Sequence, residues 1–262
     1  MNRRPSRHIG IKFPFSIQVL CIAGFITLSS MSSLQSQDTS DLRVNHQLWL
    51  DFYPHLHISE KLQFYGDIGF RILLTDTEWA RIYGRPSIRY HLDSIFVLHG
   101  GIGIFLEVSN SISNRFEVRP WQGLQVKWPN FRRLKFNHLL RLEERFNYLL
   151  QDEIFETELR LRMRLGARIQ FDQMDGWRSF FVPFSVEWFV PLAGSVSEVF
   201  VDRVEFSLGL GYNASRILQF RFLVNLRRSQ SPIADDLVLS DFAYHLQARY
   251  ALDFRTLDSD IQ

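Results

Sequence analysis

From Asp41 onward the chain alternates apolar and polar positions, and the clearest stretch is Glu158 to Phe171. There Leu159, Leu161, Met163, Leu165, Ala167, Ile169 and Phe171 share one parity, and Glu158, Arg160, Arg162, Arg164, Gly166, Arg168 and Gln170 share the other. An extended strand sends successive side chains to opposite faces, so this segment puts one side in an apolar medium and the other among charges. No helical period separates the two sets. The same parity recurs elsewhere. Leu48, Leu50 and Phe52 alternate with Gln47, Trp49, Asp51 and Tyr53, and Leu218, Phe220, Phe222, Val224 and Leu226 alternate with Gln219, Arg221, Asn225 and Arg227. Residues 134–157 also fit an amphipathic helix. Leu134, Phe136, His138, Leu140 and Leu142 keep the period of two, however, which favours a strand through Phe146 followed by an outer loop.

The lengths of these segments select the architecture. They run roughly 11–16 residues, where strands of globular domains have about five or six and bilayer-crossing strands about 9–11. Open sheet edges cannot exist in hydrocarbon, so strands of this kind must close into a barrel. Tight links are expected near Pro54, Asp93-Ser94, Pro129-Asn130, Asp172–Trp177 and Asn213–Ser215, with longer connections between them. Tyr90, Trp128, Phe171, Tyr212, Tyr250 and Phe254 lie on the apolar face beside the tight links, where an interfacial aromatic girdle belongs. About eleven segments are visible. Single-chain bacterial barrels have an even number, so the expectation is an all-β, antiparallel transmembrane barrel of about 12 strands, with 10 as the fallback.

Ahead of the strands lies a three-part leader. Arg3, Arg4, Arg7 and Lys12 precede an apolar run from Phe13 to Leu28, and small polar residues follow from Ser29 to Ser36. This is the layout of a secretory signal peptide. Cleavage after Leu34-Gln35-Ser36 leaves residues 1–36 as the signal and 37–262 as the barrel.

Composition sharpens the picture in three places. All but four of the 30 basic residues are Arg, the exceptions being Lys12, Lys61, Lys127 and Lys135. Guanidinium tolerates enclosed, bidentate pairing better than ammonium does, so many of these cations are expected inside and paired. The lone Cys21 sits in the leader, so the mature chain has no thiol chemistry. A net charge of only +2 gives no sign of nucleic-acid binding.

Parity assigns Arg85, Arg89, Glu117, Arg119, Arg141, Glu143, Arg145, Glu158, Arg160, Arg162, Arg164, Arg203 and Glu205 to the lumen. Arg–Glu networks there would brace a small barrel, whose interior has room for little but side chains. An excess of Arg would make any open cavity anion-favouring. No catalytic constellation, metal site or cofactor motif emerges. The outward His46 and His138 have no outward Ser beside them, and His55 with His57 sits at a turn without further ligands. Asp235-Asp236 with Asp241 reads best as a solvated outer loop.

Several short stretches carry a resemblance: Arg85-Pro86-Ser87-Ile88-Arg89-Tyr90, Glu117-Val118-Arg119-Pro120-Trp121-Gln122, Arg141-Leu142-Glu143-Glu144-Arg145, Leu159-Arg160-Leu161-Arg162, and Asp202-Arg203 with Gly209-Leu210-Gly211-Tyr212. Through them the chain resembles a family of bacterial outer-membrane barrels known only as a domain of unknown function. The resemblance covers nearly all of the mature chain and implies an outer-membrane location, with no activity and no catalytic residues. The partners expected are outer-membrane lipids, lipopolysaccharide and, during insertion, the barrel-assembly machinery. The role expected is structural or passive transport, with an outer-membrane lipid- or lipid-A-modifying enzyme as the alternative.

Overall fold

The computed structural model describes residues 44–75, 79–110, 113–175, 178–196, 202–230 and 237–253, all within one unit, Leu42–Gln262. The expected signal peptide, residues 1–36, and its cleavage site lie outside these residues. The described residues form strands β1 (Asn45–His57), β2 (Leu62–Tyr65), β3 (Ile68–Leu73), β4 (Trp79–Gly84), β5 (Ser87–His91), β6 (Phe96–Ser109) and β7 (Arg115–Lys127). They continue with β8 (Leu134–Leu149), β9 (Ile154–Asp175), β10 (Arg178–Gly194), β11 (Asp202–Asn213), β12 (Leu218–Gln230) and β13 (Leu237–Asp253).

Two pairs of these segments are halves of single strands. β2 and β3 both pair with β1, and β4 and β5 both pair with β6. Across the gaps the backbone ladder continues, with Gly66 N–H donating to Pro54 O at 3.2 Å and Arg85 N–H to Asp67 O at 2.8 Å. The interruptions fall beside Pro54 and Pro86, whose rings remove a ladder donor. The described residues therefore make an eleven-strand barrel, one fewer than the twelve expected and one more than the fallback.

The odd number has a consequence at the seam. Successive strands of a meander alternate in direction, so the first and eleventh run the same way and can close only in parallel. β1 and β13 do so, in an unbroken register from Asn45↔Asp241 to His57↔Asp253. The other pairings are antiparallel, and the expectation of a wholly antiparallel barrel is corrected at this one place.

Some boundaries also move. Pro54 lies inside β1 rather than in a link, and the turn comes at Ile58–Lys61. β8 runs on to Leu149 instead of stopping at Phe146, because Asn147 and Leu149 keep the alternation and stay buried. β9 extends into the expected Asp172–Trp177 link as far as Asp175, and β10 extends past Pro191 with a register shift there. One rim carries the short turns, where Asp93 Oδ1 accepts the backbone N–H of Ile95 and of Phe96 at 2.7 Å each. Those bonds, Phe96's first, hold its carboxyl below the usual range.

The faces sort as the parity predicts. Leu50, Phe52, Ile82, Ile104, Leu208, Phe222 and Leu246 are exposed on the outside. Gln47, Trp49, Asp51, Glu107, Glu117, Glu143, Arg145 and Asn225 are buried within. Glu144 is a charged mid-strand exception, exposed on the outer side of β8 next to the buried Glu143.

Candidate functional site

The interior is built from long strands that each turn every second side chain inward, and on β7, β8 and β9 most of these are charged or polar. Its densest part lies among β6–β10. Glu143, on β8, meets Arg160 and Arg162 of β9 at 2.7 Å each, Arg119 of β7 at 3.4 Å and Arg141 at 3.5 Å. Glu117 accepts from Arg119 at 2.6 Å and from Arg145 at 2.8 Å, and Arg145 reaches on to Glu158 at 2.7 Å. Arg162 also bridges to Glu187 of β10 at 2.9 Å. Glu107 joins Arg115 at 2.9 Å and Arg81, and Asp67 holds Arg85. Cross-strand opposition sets much of this: Glu143 stands opposite Arg160, and Arg145 opposite Glu158, in the β8–β9 register. Desolvating so many ions is costly, and the pairing offsets that cost only while every partner is in place.

A layer of aromatic rings lies among the cations. Arg71 sits 3.7 Å above Trp49, Arg89 3.3 Å above Tyr65, Arg141 4.0 Å above Trp121 and Arg168 3.6 Å above Phe181. Ring faces attract guanidinium, most strongly where water is excluded. Inward glycines make room for the rings. A Cβ on Gly211 would lie 2.0 Å from the Phe181 ring, and one on Gly69 would collide with Tyr83.

The seam has its own polar cluster. Asp51 of β1 contacts His245 of β13 at 2.7 Å and accepts from Tyr83 at 2.7 Å and Tyr53 at 3.1 Å. The Trp49 indole packs edge-on against His245.

These groups surround a cavity of about 510 Å³ that runs from Trp128 and Asn130 at the turn rim to Arg81 and Arg227 nearer the other rim. Thirteen guanidiniums but only four carboxylates (Asp51, Asp67, Glu187 and Glu205) are among its described lining residues. The wall therefore favours anions.

Of the residues singled out by parity, Arg85, Arg89, Arg119, Arg141, Arg160, Arg162, Arg164 and Glu205 line this cavity. Glu117, Glu143, Arg145 and Glu158 stand in the ion-pair lattice beside it. Arg203 belongs to β11, but its side chain lies outside those described. Parity counting for charge left out the interior rings Trp79, Tyr83, Phe105, Phe181 and Phe189, the seam residues Asp51 and His245, and Arg249. Their signal was present, since all keep the inward parity of their strands.

The histidines weighed as chemistry have other contacts. His46 stacks against Phe242 and Tyr244, and the Trp128 indole N–H donates to His138 Nδ1 at 2.8 Å. His55 packs on Tyr65, and His57 meets the Gln63 carboxamide at 3.3 Å. Asp241 is buried and faces Arg227 at 3.6 Å, while Asp235 and Asp236 lie outside the described residues. Among the described residues no three His, Cys, Asp or Glu side chains converge as a metal ion would require.

The molecule is thus a closed β-barrel with an apolar exterior and a charged interior. The chain belongs to the family described as Protein of unknown function (DUF2490), whose model matches residues 46–237. No curated protein matches it.

Proposed function

We propose that the protein is an outer-membrane β-barrel of passive type, whose interior is braced by an Arg–carboxylate–aromatic lattice and retains a narrow anion-favouring compartment. One observation carries this reading: the usual polarity of a folded protein is inverted. Leu208 and Ile68 are each 59% exposed, while Arg115 and Arg145 are each 1% exposed. Water would not tolerate that exterior around a whole barrel, since soluble monomers rarely leave large contiguous apolar patches uncovered. Hydrocarbon would, and a closed ladder leaves no backbone edge to satisfy. The three-part pattern of residues 1–36, basic then apolar then small and polar, supports export. Outer-membrane lipids and lipopolysaccharide are then the molecules against the outer face, with the assembly machinery as a transient partner. The lipid-modifying alternative gains no support from the described residues, because His46 stands against Phe242 and Tyr244 and His138 against Trp128, with no serine beside either.

Conductance across a planar bilayer tests the functional half. A braced lumen with this wall predicts small unitary currents that favour anions over cations. Large unselective currents, or a preference for cations, would contradict it.

A further inference from the structure

The lattice of ion pairs does not fill the interior evenly. On the turn-rim side of the cavity, Arg89 (β5), Arg168 (β9), Arg221 (β12) and Arg249 (β13) face inward and contact no carboxylate among the described residues. They also stand within electrostatic reach of one another, Arg89 of Arg249 and Arg221 of both Arg249 and Arg168, with the Tyr65 phenol among them and the nearest carboxylate, Asp67, acting on Arg249 from a distance.

What holds these four is neutral. Arg168 donates to Gln170 Oε1 at 3.1 and 2.5 Å, Arg221 to Gln219 Oε1 at 2.8 Å, and Arg249 to Gln247 Oε1 at 3.3 and 3.1 Å. In each case the carboxamide stands two residues away on the same strand. Arg89 lies over the Tyr65 ring, and its Nε is buried with no hydrogen-bond partner. Arg249 lies over Tyr53, and both Arg168 and Arg221 lie against Phe181. Carboxamides and ring faces fix the direction of a guanidinium without neutralising its charge. Around Glu143 the opposite is done, with carboxylate supplied to each cation.

Converging, oriented guanidiniums with no carboxylate in contact repel in an enclosed space, and a multiply charged anion would relieve that repulsion. Planar forks presenting paired N–H donors match phosphoryl oxygens. We infer that the turn-rim half of the barrel interior is a binding site for a phosphoryl-bearing, multiply anionic group, held by Arg89, Arg168, Arg221 and Arg249. The site lies inside the barrel, so it goes beyond the membrane assignment and does not depend on it.

The test is calorimetric titration of the purified full-length protein, in non-ionic detergent at low salt, with inorganic pyrophosphate and separately with dihexanoyl phosphatidic acid. Wild type is expected to bind. Arg89→Gln with Arg249→Gln is expected to weaken binding tenfold or more, and Arg168→Gln with Arg221→Gln, a second independent pair, to do the same. Lys61→Gln, which removes an exposed charge from a turn at the same rim, is expected to leave affinity unchanged. Without ligand, each arginine pair variant should melt at or above the wild-type temperature, because repulsion is relieved. That readout, with circular dichroism, separates lost binding from lost fold. Pyrophosphate binding alone identifies a soluble phosphate source, phosphatidic acid binding alone identifies a lipid headgroup, and binding of both identifies the shared phosphoryl chemistry. Failure of wild type to bind either probe, or affinity that survives removal of both pairs, would overturn the inference.

Discussion

Glu143 shows how the interior is held at the level of single residues. One carboxylate is shared by four guanidiniums from three strands, and each would be left enclosed with less compensation if its charge were removed. Breaking a buried pair by deleting one partner costs about 3–5 kcal/mol, most of it the price of an abandoned charge. Glu143→Gln is nearly isosteric, so packing should change little and the loss should be electrostatic. Urea unfolding from lipid vesicles is expected to show a decrease of at least that order. Glu144→Gln, one residue along on the outer face, should show almost none. Equal effects from the two would mean that the lattice does not brace the barrel.

Residue identity was easy to read where alternation ran unbroken. Parity brought Arg160, Arg162 and Arg164 to one face, and the β8–β9 register then set Arg160 against Glu143. Parity cannot tell which cation finds a carboxylate, because that depends on the register with the neighbouring strands, and a cation that finds none there turns to a carboxamide on its own strand. Arg168 and Arg162 look alike along the chain, yet one meets Gln170 and the other Glu143 and Glu187. Inward aromatics were hidden for a different reason. A Phe on the charged parity reads as noise until the glycine beneath it, such as Gly211 under Phe181, is placed by β10–β11 pairing.

At the level of elements, the boundaries were the least legible feature. Proline suggests a turn, but Pro54, Pro120, Pro183 and Pro191 all lie within strands, where the neighbouring ladder is interrupted or shifted instead. Pro54 and the Gly66-Asp67 gap beside it are the local reason why one strand is divided into β2 and β3. The seam was not legible at all, since a parallel closure follows from the strand count and not from any local pattern. It can be checked directly. The described residues contain no cysteine, and Leu50 and Leu246 are register partners on the outer face of β1 and β13. Leu50→Cys with Leu246→Cys should crosslink on mild oxidation of the folded protein. Leu50→Cys with Ala251→Cys, five residues further along β13 and on the opposite face, should not. Crosslinking of the second pair in preference to the first would rule out this seam.

For the whole molecule, the account rests on inversion of the ordinary arrangement of charge and grease. The apolar belt is contributed by every strand of the barrel, from Leu50 on β1 to Leu246 on β13, while the ionised groups face one another inside. The proposed assignment requires that something other than water surround such a body. Nitroxide labels at single cysteines report that surrounding medium most directly. Labels at Ile104 and Leu208, on the outer face of β6 and β11, should in reconstituted vesicles be relaxed by oxygen and shielded from a water-soluble nickel chelate. Outer-face labels freely relaxed by the nickel chelate, on protein that stays in solution without detergent, would contradict the membrane assignment.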